Sequence, residues 1–348
     1  MFSLLRPYIF GLDPEVAHDL AIKSLKFNFI PKSFFQVEGE EILTTKLFKK
    51  KLKNPIGLAA GFDKSAEVYN SLFKLGFGFV EVGTITPKSQ LGNPKPRIFR
   101  LERDKAMINR LGFNNDGVET VSDRLAENPP EDFLGINIGP NKDTKDKSLD
   151  FLECFDKLNK LASYITVNIS SPNTEGLRNF HEEKLLSNLL NKLNKLKENK
   201  KIKCPLVLKL SPDIAEEEIS NINELILKFK IDGIVLTNTS NQNRKNLSDL
   251  KKNEAGGLSG LPLQKLSSKF IKDFYKSNKG NLPIIGVGGI DSGESAFEKI
   301  TAGASAIQLY TGMVYKGPGI VKDIKKELIE ILKKNKINNI QEAVGINS

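Results

Sequence analysis

The chain is predicted to fold as an α/β protein, a (β/α)8 TIM barrel with an N-terminal helical appendage, on three observations. Short β-branched and aliphatic runs alternate with amphipathic helical stretches along the sequence, the pattern of a parallel sheet. There are eight such runs, enough to close a barrel. Each run ends in hydroxyl, amide, lysine or glycine residues, as expected where buried strands empty into functional loops.

In chain order, residues 1–35 read as a separate helical segment. Asp13-Pro14-Glu15 is a good helix start, with aspartate at the cap and proline at the first helical position. Phe2, Leu4, Leu5, Ile9, Phe10, Val16, Leu20, Leu25 and Phe27 would give two amphipathic helices an apolar face able to lie on a bilayer. Residues 36–335 hold the barrel and 336–348 form a C-terminal tail. Strands are expected at Pro55–Ala60, Phe79–Ile85, Leu134–Gly139, Tyr164–Ser170, Leu206–Ser211, Gly233–Asn238, Ile284–Gly288 and Ala306–Tyr310. Helices fit between them, for example Glu216–Phe229, with Asp213 or Ser211 able to cap its first turn. Residues 87–115 are expected as a loop far above the usual length, and so as a functional cover. An open doubly wound sheet is the rival fold. Against it, no G-x-G-x-x-G follows the first strand, and Gly57-Leu58-Ala59-Ala60-Gly61 has the wrong spacing.

Composition narrows the function. With 39% hydrophobic and 27% charged residues, the 348-residue chain can bury a large core. Cys154 and Cys204 lie far apart, which argues against a disulfide framework, a cluster or a zinc site. Only two histidines, His18 and His181, are present, so no metal site or Ser-His triad is easily built. The formal charge of +10 comes mostly from lysine. Around Lys195–Lys201, however, Leu186, Leu189, Leu190, Leu193 and Leu196 recur at helical spacing, so the lysines fall on a solvated face and nucleic-acid binding is not expected. No run approaches the roughly 18 apolar residues of a membrane span. The first residues lack the layout of a cleaved secretory signal, so a protein on the cytoplasmic side is expected.

The strand ends carry Lys64, Thr84, Asn137, Asn168 with Ser171, Lys209, Thr237-Asn238-Thr239, Gly288-Gly289 and Tyr310-Thr311. One such group is ordinary turn chemistry; a full ring of them is the signal. After the seventh and eighth strands, Gly286-Val287-Gly288-Gly289 and Tyr310-Thr311-Gly312 put bare amides at helix starts, the usual phosphate site of a barrel.

These residues resemble a known family over essentially the full chain: the class 2, quinone-dependent dihydroorotate dehydrogenases. The resemblance is carried by Ala59-Ala60-Gly61-Phe62-Asp63-Lys64, Glu81-Val82-Gly83-Thr84-Ile85-Thr86-Pro87, Asn109-Arg110-Leu111-Gly112-Phe113-Asn114-Asn115 and Asn168-Ile169-Ser170-Ser171-Pro172-Asn173-Thr174. Leu236-Thr237-Asn238-Thr239, Gly256-Gly257-Leu258-Ser259-Gly260 and Gly286-Val287-Gly288-Gly289-Ile290 complete it. Each stretch is modest alone, and together in this order they are specific.

The resemblance implies an FMN enzyme that oxidises (S)-dihydroorotate to orotate in pyrimidine (UMP) synthesis, with ubiquinone or menaquinone as final acceptor. Ala60, Gly61, Phe62, Asp63, Lys64, Thr84, Asn137, Asn168, Lys209, Thr237, Gly260, Gly289, Tyr310 and Thr311 would contact the flavin. Lys64, Asn109, Arg110, Leu111, Gly112, Phe113, Asn168, Asn173, Asn238 and Thr239 would hold the pyrimidine and its carboxylate, the amides offering both donors and acceptors. Ser171 would be the catalytic base, relayed through Thr174 and water and walled off by Phe113, with Lys209 stabilising charge near the flavin. Serine rather than cysteine at 171 separates this family from the soluble class 1 enzymes. The appendage would frame a quinone tunnel, with His18 and Arg100 near the head group, and would attach the protein to the cytoplasmic face of the inner membrane as a monomer. Losing residues 1–35 would then spare flavin reduction by dihydroorotate but impair quinone reduction and membrane binding. Asn179-Phe180-His181 departs from the family's usual continuation, at a place that affects loop mobility more than chemistry. The alternatives are a related flavin barrel using fumarate or NAD, a non-catalytic phosphate- or nucleotide-binding barrel, and a membrane-surface scaffold.

Overall fold

The structure, a computed structural model, describes residues 2–27, 29, 31–242 and 244–348. Met1, Asn28 and Ile30 of the expected appendage, and Asn243, lie outside the described residues.

Eight parallel strands close a barrel: Ile56–Leu58, Phe79–Ile85, Leu134–Ile138, Tyr164–Asn168, Leu206–Leu210, Gly233–Leu236, Ile284–Val287 and Ala306–Leu309. They pair in chain order, and the eighth returns to the first through Ile307↔Ile56 and Leu309↔Leu58. Nearly every strand position is buried, because one face meets the barrel interior and the other meets the surrounding helices; this is why the runs read as continuous apolar stretches rather than alternations. All eight expected strands are present, and seven of them leave the ladder one or two residues early. At the seventh strand the cause is Gly288, whose φ of +126° takes the chain out of the extended region just as it reaches the rim.

The bottom is sealed by a hairpin, Thr45–Leu47 with Lys50–Leu52, whose Leu47 and Leu52 pack among Phe79, Tyr164, Val207, Val235 and Ile285 from the strands' lower halves. Only the top remains open. Around the outside, the helix Glu183–Asn199 buries Leu186, Leu189, Leu190 and Leu193 as its spacing predicted.

Two sequence expectations need correction. The 87–115 segment is not a plain loop: Ile98–Leu101 and Ala106–Asn109 pair antiparallel, and Gly257–Gly260, from the loop after the sixth strand, adds to the other edge. Phe99, Leu101, Ala106, Ile108 and Leu258 give this small sheet its own core, which the polar residues around them mask in the sequence. The helix at 216 is also capped differently. It starts at Glu216, and Glu218 turns back so that its carboxylate accepts from Ala215 N at 3.1 Å. Asp213 is engaged elsewhere, accepting from Arg178 at 2.8 Å and from Asn241 N at 2.9 Å.

The appendage comprises α1 (Phe2–Gly11) and α2 (Pro14–Lys26). Asp13 caps α2, its carboxylate accepting from Glu15 N at 2.9 Å and Val16 N at 3.1 Å. Leu4, Leu5, Tyr8, Leu12, Val16 and Leu20 are exposed, and Phe10 turns inward against Tyr315 with ring centroids 5.4 Å apart. No helix among the described residues is long and apolar enough to cross a membrane. The buried Lys325 ties the following segment to the barrel, donating to Phe35 O at 2.7 Å and Glu40 at 2.9 Å. The C-terminal residues also pack down, with Ile340 and Ala343 buried.

Candidate active site

A cavity of about 370 Å³ occupies the open top, bounded by the strand ends below, the three-stranded sheet on one side and α1 at its mouth. From the first strand, Ala60, Gly61 and Lys64 line it. Phe62 and Asp63 do not. Phe62 packs edge-on to Tyr310 and His18, at centroid distances of 6.1 and 5.1 Å. Asp63 turns into its own loop and accepts from Glu67 N at 2.7 Å and Val68 N at 2.8 Å, while burial pushes its carboxyl up to about 6. Burial also brings Lys64 down to about 8, against the opposing pull of Glu15 and Asp19.

Below the floor lies a polar layer the sequence reading missed. Glu81, fully buried in the second strand, accepts from Tyr164 OH at 2.9 Å, Gln308 Nε2 at 2.9 Å and Asn137 Nδ2 at 2.8 Å. A lone carboxylate in an otherwise apolar strand was the available signal, since such a group is retained only when fully hydrogen-bonded. Asn137 therefore sits beneath the wall rather than on it, accepting from Thr84 Oγ1 at 2.7 Å and Asn168 Nδ2 at 3.1 Å. Asn168, which does reach the cavity, has its carbonyl oriented by Ser170 Oγ at 2.9 Å and Asn238 Nδ2 at 3.3 Å.

Ser171 and Lys209 both line the cavity and are both only 5% exposed. Asn173 N donates to Ser171 Oγ at 3.2 Å, and Asn173 Nδ2 donates to Asn109 Oδ1 at 3.3 Å, so the serine loop and the cover are joined. Thr174 is buried but is not on the wall. Burial lowers the Lys209 pKa, with Glu81 opposing. Thr84, Thr237, Asn238, Thr239, Gly260, Gly289, Tyr310 and Thr311 complete the strand-end ring, and Thr311 donates to Ser259 Oγ at 2.9 Å. Gly289 has a φ of +72°, and a Cβ there would lie 2.6 Å from Gln264 Cα, so the position admits only glycine.

From the cover, Asn109, Leu111, Gly112 and Phe113 face the cavity. Arg110 does not. It points away, bonding Glu254 at 2.8 Å and Pro96 O at 2.9 Å and stacking over Phe99. His18 and Arg100 are also off the wall. His18 stands behind Lys64, its Nε2 3.1 Å from Nζ, and burial followed by that lysine drives its pKa down to about 3, leaving it neutral. Arg100 closes the α1–α2 turn, donating to Leu12 O at 2.9 Å and Phe10 O at 3.2 Å with its guanidinium over the Phe10 ring. Sequence reading also missed Arg6, Met107, Gln308 and Tyr315, which line the cavity, while Phe10, expected on the apolar face of the appendage, lines it too. It missed Arg178 as well, which donates to Ser170 O at 3.1 Å and Thr239 O at 3.0 Å while paired with Asp213.

The chain is similar to known proteins over nearly its whole length. The family model for dihydroorotate dehydrogenase matches residues 42–332. The chain is 44% identical to dihydroorotate dehydrogenase (quinone) of Rhodospirillum rubrum over 346 residues, covering 99% of this chain and 94% of that one. It is 42% identical to the mitochondrial dihydroorotate dehydrogenase (quinone) of Mus musculus over 347 residues, covering 96% and 87%. Among solved structures, DHODH of Eimeria tenella in complex with ferulenol superposes with a TM-score of 0.92 at 38% identity, covering 97% of this chain and 98% of that one.

Proposed function

The chain belongs to the dihydroorotate dehydrogenase family, and we propose that it oxidises (S)-dihydroorotate to orotate in pyrimidine biosynthesis, with a quinone as final electron acceptor. The observation that carries this reading is the pairing of a buried hydroxyl, Ser171, with a buried ammonium, Lys209, in one cavity that also presents Asn109, Asn168, Asn173 and Asn238.

FMN is the cofactor of this reading, and the wall suits it. Gly288 and Gly289, without side chains on the cavity wall, suit close approach of a phosphate, and Lys209 suits an electron-rich ring edge. Gln308 Oε1, buried and without a hydrogen-bond partner among the described residues, is an acceptor left for a ligand's N–H. Bound there, FMN would supply the hydride acceptor. Lys64 and the four asparagines would hold the pyrimidine and its carboxylate. Ser171 Oγ would take the C5 proton while its own hydroxyl proton passes on toward Thr174 and water, with the Asn173 amide stabilising the partial negative charge on the oxygen as that O–H bond loosens. Phe113 and the small sheet would keep water out.

The exposed side chains of Leu4, Leu5, Tyr8, Leu12, Val16 and Leu20 support docking of α1 and α2 on a membrane surface. Arg6 and Phe10, also from α1, line the cavity mouth and support quinone entry there. The decisive experiment is a visible spectrum of the purified protein under anaerobic conditions. A flavin spectrum bleached by dihydroorotate and restored by a quinone supports the reading. A colourless protein that cannot be loaded with FMN, or a flavin untouched by dihydroorotate, would overturn it, and restoration by fumarate instead would move the protein to another acceptor class.

A further inference from the structure

We infer that α2 is a positioning element for the dihydroorotate side of the cavity, acting through Glu15 on the substrate-binding cover and through His18 on Lys64. The inference rests on the cavity being the dihydroorotate site. It departs from the sequence expectation that loss of the appendage would leave flavin reduction by dihydroorotate untouched.

The first link is an ion pair. Glu15 is 9% exposed and Arg97 is 6% exposed. Arg97 Nη2 meets Glu15 Oε1 at 2.6 Å, and its Nε meets Oε2 at 3.1 Å. The third nitrogen of the same guanidinium donates to Leu91 O at 2.6 Å and Asn93 O at 2.8 Å. Asn93 in turn grips the cavity-facing stretch, its N donating to Leu111 O at 2.9 Å and its Nδ2 to Arg110 O at 2.9 Å. Arg110 N also returns a bond to Arg97 O at 2.9 Å. A planar guanidinium holds its partners in fixed directions, so the carboxylate on α2 sets where residues 109–113 lie.

The second link runs through different hydrogen bonds, although Glu15 also acts on Lys64 through its charge. His18, one turn further along α2, places Nε2 3.1 Å from Lys64 Nζ. The imidazole is itself fixed edge-on against Phe62, and Lys64 lines the cavity. A neutral imidazole there accepts from the ammonium and aims its remaining donors at the cavity. Neither Glu15 nor His18 lies on the cavity wall, so both act through a neighbour.

The test uses the full-length, flavin-loaded protein. Glu15→Gln keeps the size of the side chain and removes its charge. It should weaken orotate binding, read from the flavin spectrum, by roughly tenfold, the scale of one lost charged hydrogen bond. Half-saturating dihydroorotate in anaerobic bleaching should rise equally while the limiting bleaching rate holds. Amide hydrogen exchange should speed up within residues 90–113. His18→Leu should weaken orotate binding in the same direction, and His18→Gln, which retains an acceptor, should recover much of it. The inference is overturned if Glu15→Gln has wild-type orotate affinity and exchange with a defect confined to quinone reduction. If that variant does not fold, the histidine pair decides: equal orotate affinity in His18→Leu and His18→Gln overturns the inference. A wild-type protein that neither binds orotate nor bleaches would instead refute the reading of the site itself.

Discussion

Replacing Lys209 with methionine isolates the electrostatic contribution of one side chain. Methionine nearly matches the lysine stem in length and removes the ammonium, its charge together with its N–H donors. Lys209 is 5% exposed, at the wall of a cavity closed below by the barrel, so water screens it little. A unit charge about 4 Å from developing negative charge, at an effective dielectric constant of about 20, is worth about 4 kcal/mol. Removing one preorganised donor from a catalytic centre typically costs about 10²–10³ in rate, or roughly 2.7–4 kcal/mol, so the two routes agree. The assay is stopped-flow bleaching of the bound flavin by saturating dihydroorotate without acceptor, which excludes quinone steps. Lys209→Met should bind FMN and slow that limiting rate by about two to three orders of magnitude. It should not lose thermal stability in the apo form, because burial already disfavours this charge and Glu81 keeps its hydrogen bonds to Tyr164, Gln308 and Asn137. A limiting rate within about threefold of wild type would refute the reasoning, since it would leave less than about 0.7 kcal/mol for the charge.

Other outcomes follow from the same site. Ser171→Ala should retain flavin and lower the bleaching rate by about 10²–10⁴, the usual span of a positioned base; unchanged bleaching would remove Ser171 from the chemistry. Lys64 titrates near 8 in the ligand-free protein, and an anion favours its protonated form. Orotate affinity should therefore be full below pH 8 and weaken as pH rises through it, until the higher pKa of the complex is reached; a Lys64→Met protein should lack that fall in a spectral titration. Gly289→Ala meets both the positive φ and the Gln264 backbone, so it should lower FMN retention on gel filtration while the barrel still folds. Asp63 titrates near 6, above its unfolded value, so its contribution to stability is full below about pH 3.9 and is lost as pH rises through 6. The unfolding free energy of wild type relative to Asp63→Asn should fall across that window, and a flat difference would deny the shift.

Much of this protein could be read in its sequence because the signals were local. Each barrel strand announced itself as an apolar run, and each rim as the polar residues that stop it. The Asp13 cap, the leucine stripe of residues 186–193 and the glycines at 288 and 289 depend on near neighbours alone. What escaped depended on partners far along the chain. Arg110 looked like a substrate ligand because it sits within the motif, yet Glu254, 144 residues later, turns it outward. Glu81 gave one anomalous letter, and its role emerged only when Tyr164 and Gln308 converged on it from other strands. The 87–115 segment hid a hairpin because its third strand arrives from residues 257–260.

The amino-acid order by itself determined the element types, the barrel, and the residue types gathered at its rim, because hydrophobic period, capping and turn geometry act over a few residues. Tertiary structure alone decided which rim residues face the cavity, where His18 and Arg100 point, and that Glu15 and Arg97, 82 positions apart, form a buried pair. Directions of that kind are set by where a long side chain finds its counter-charge or hydrogen-bond partner after closure, a choice no local window contains.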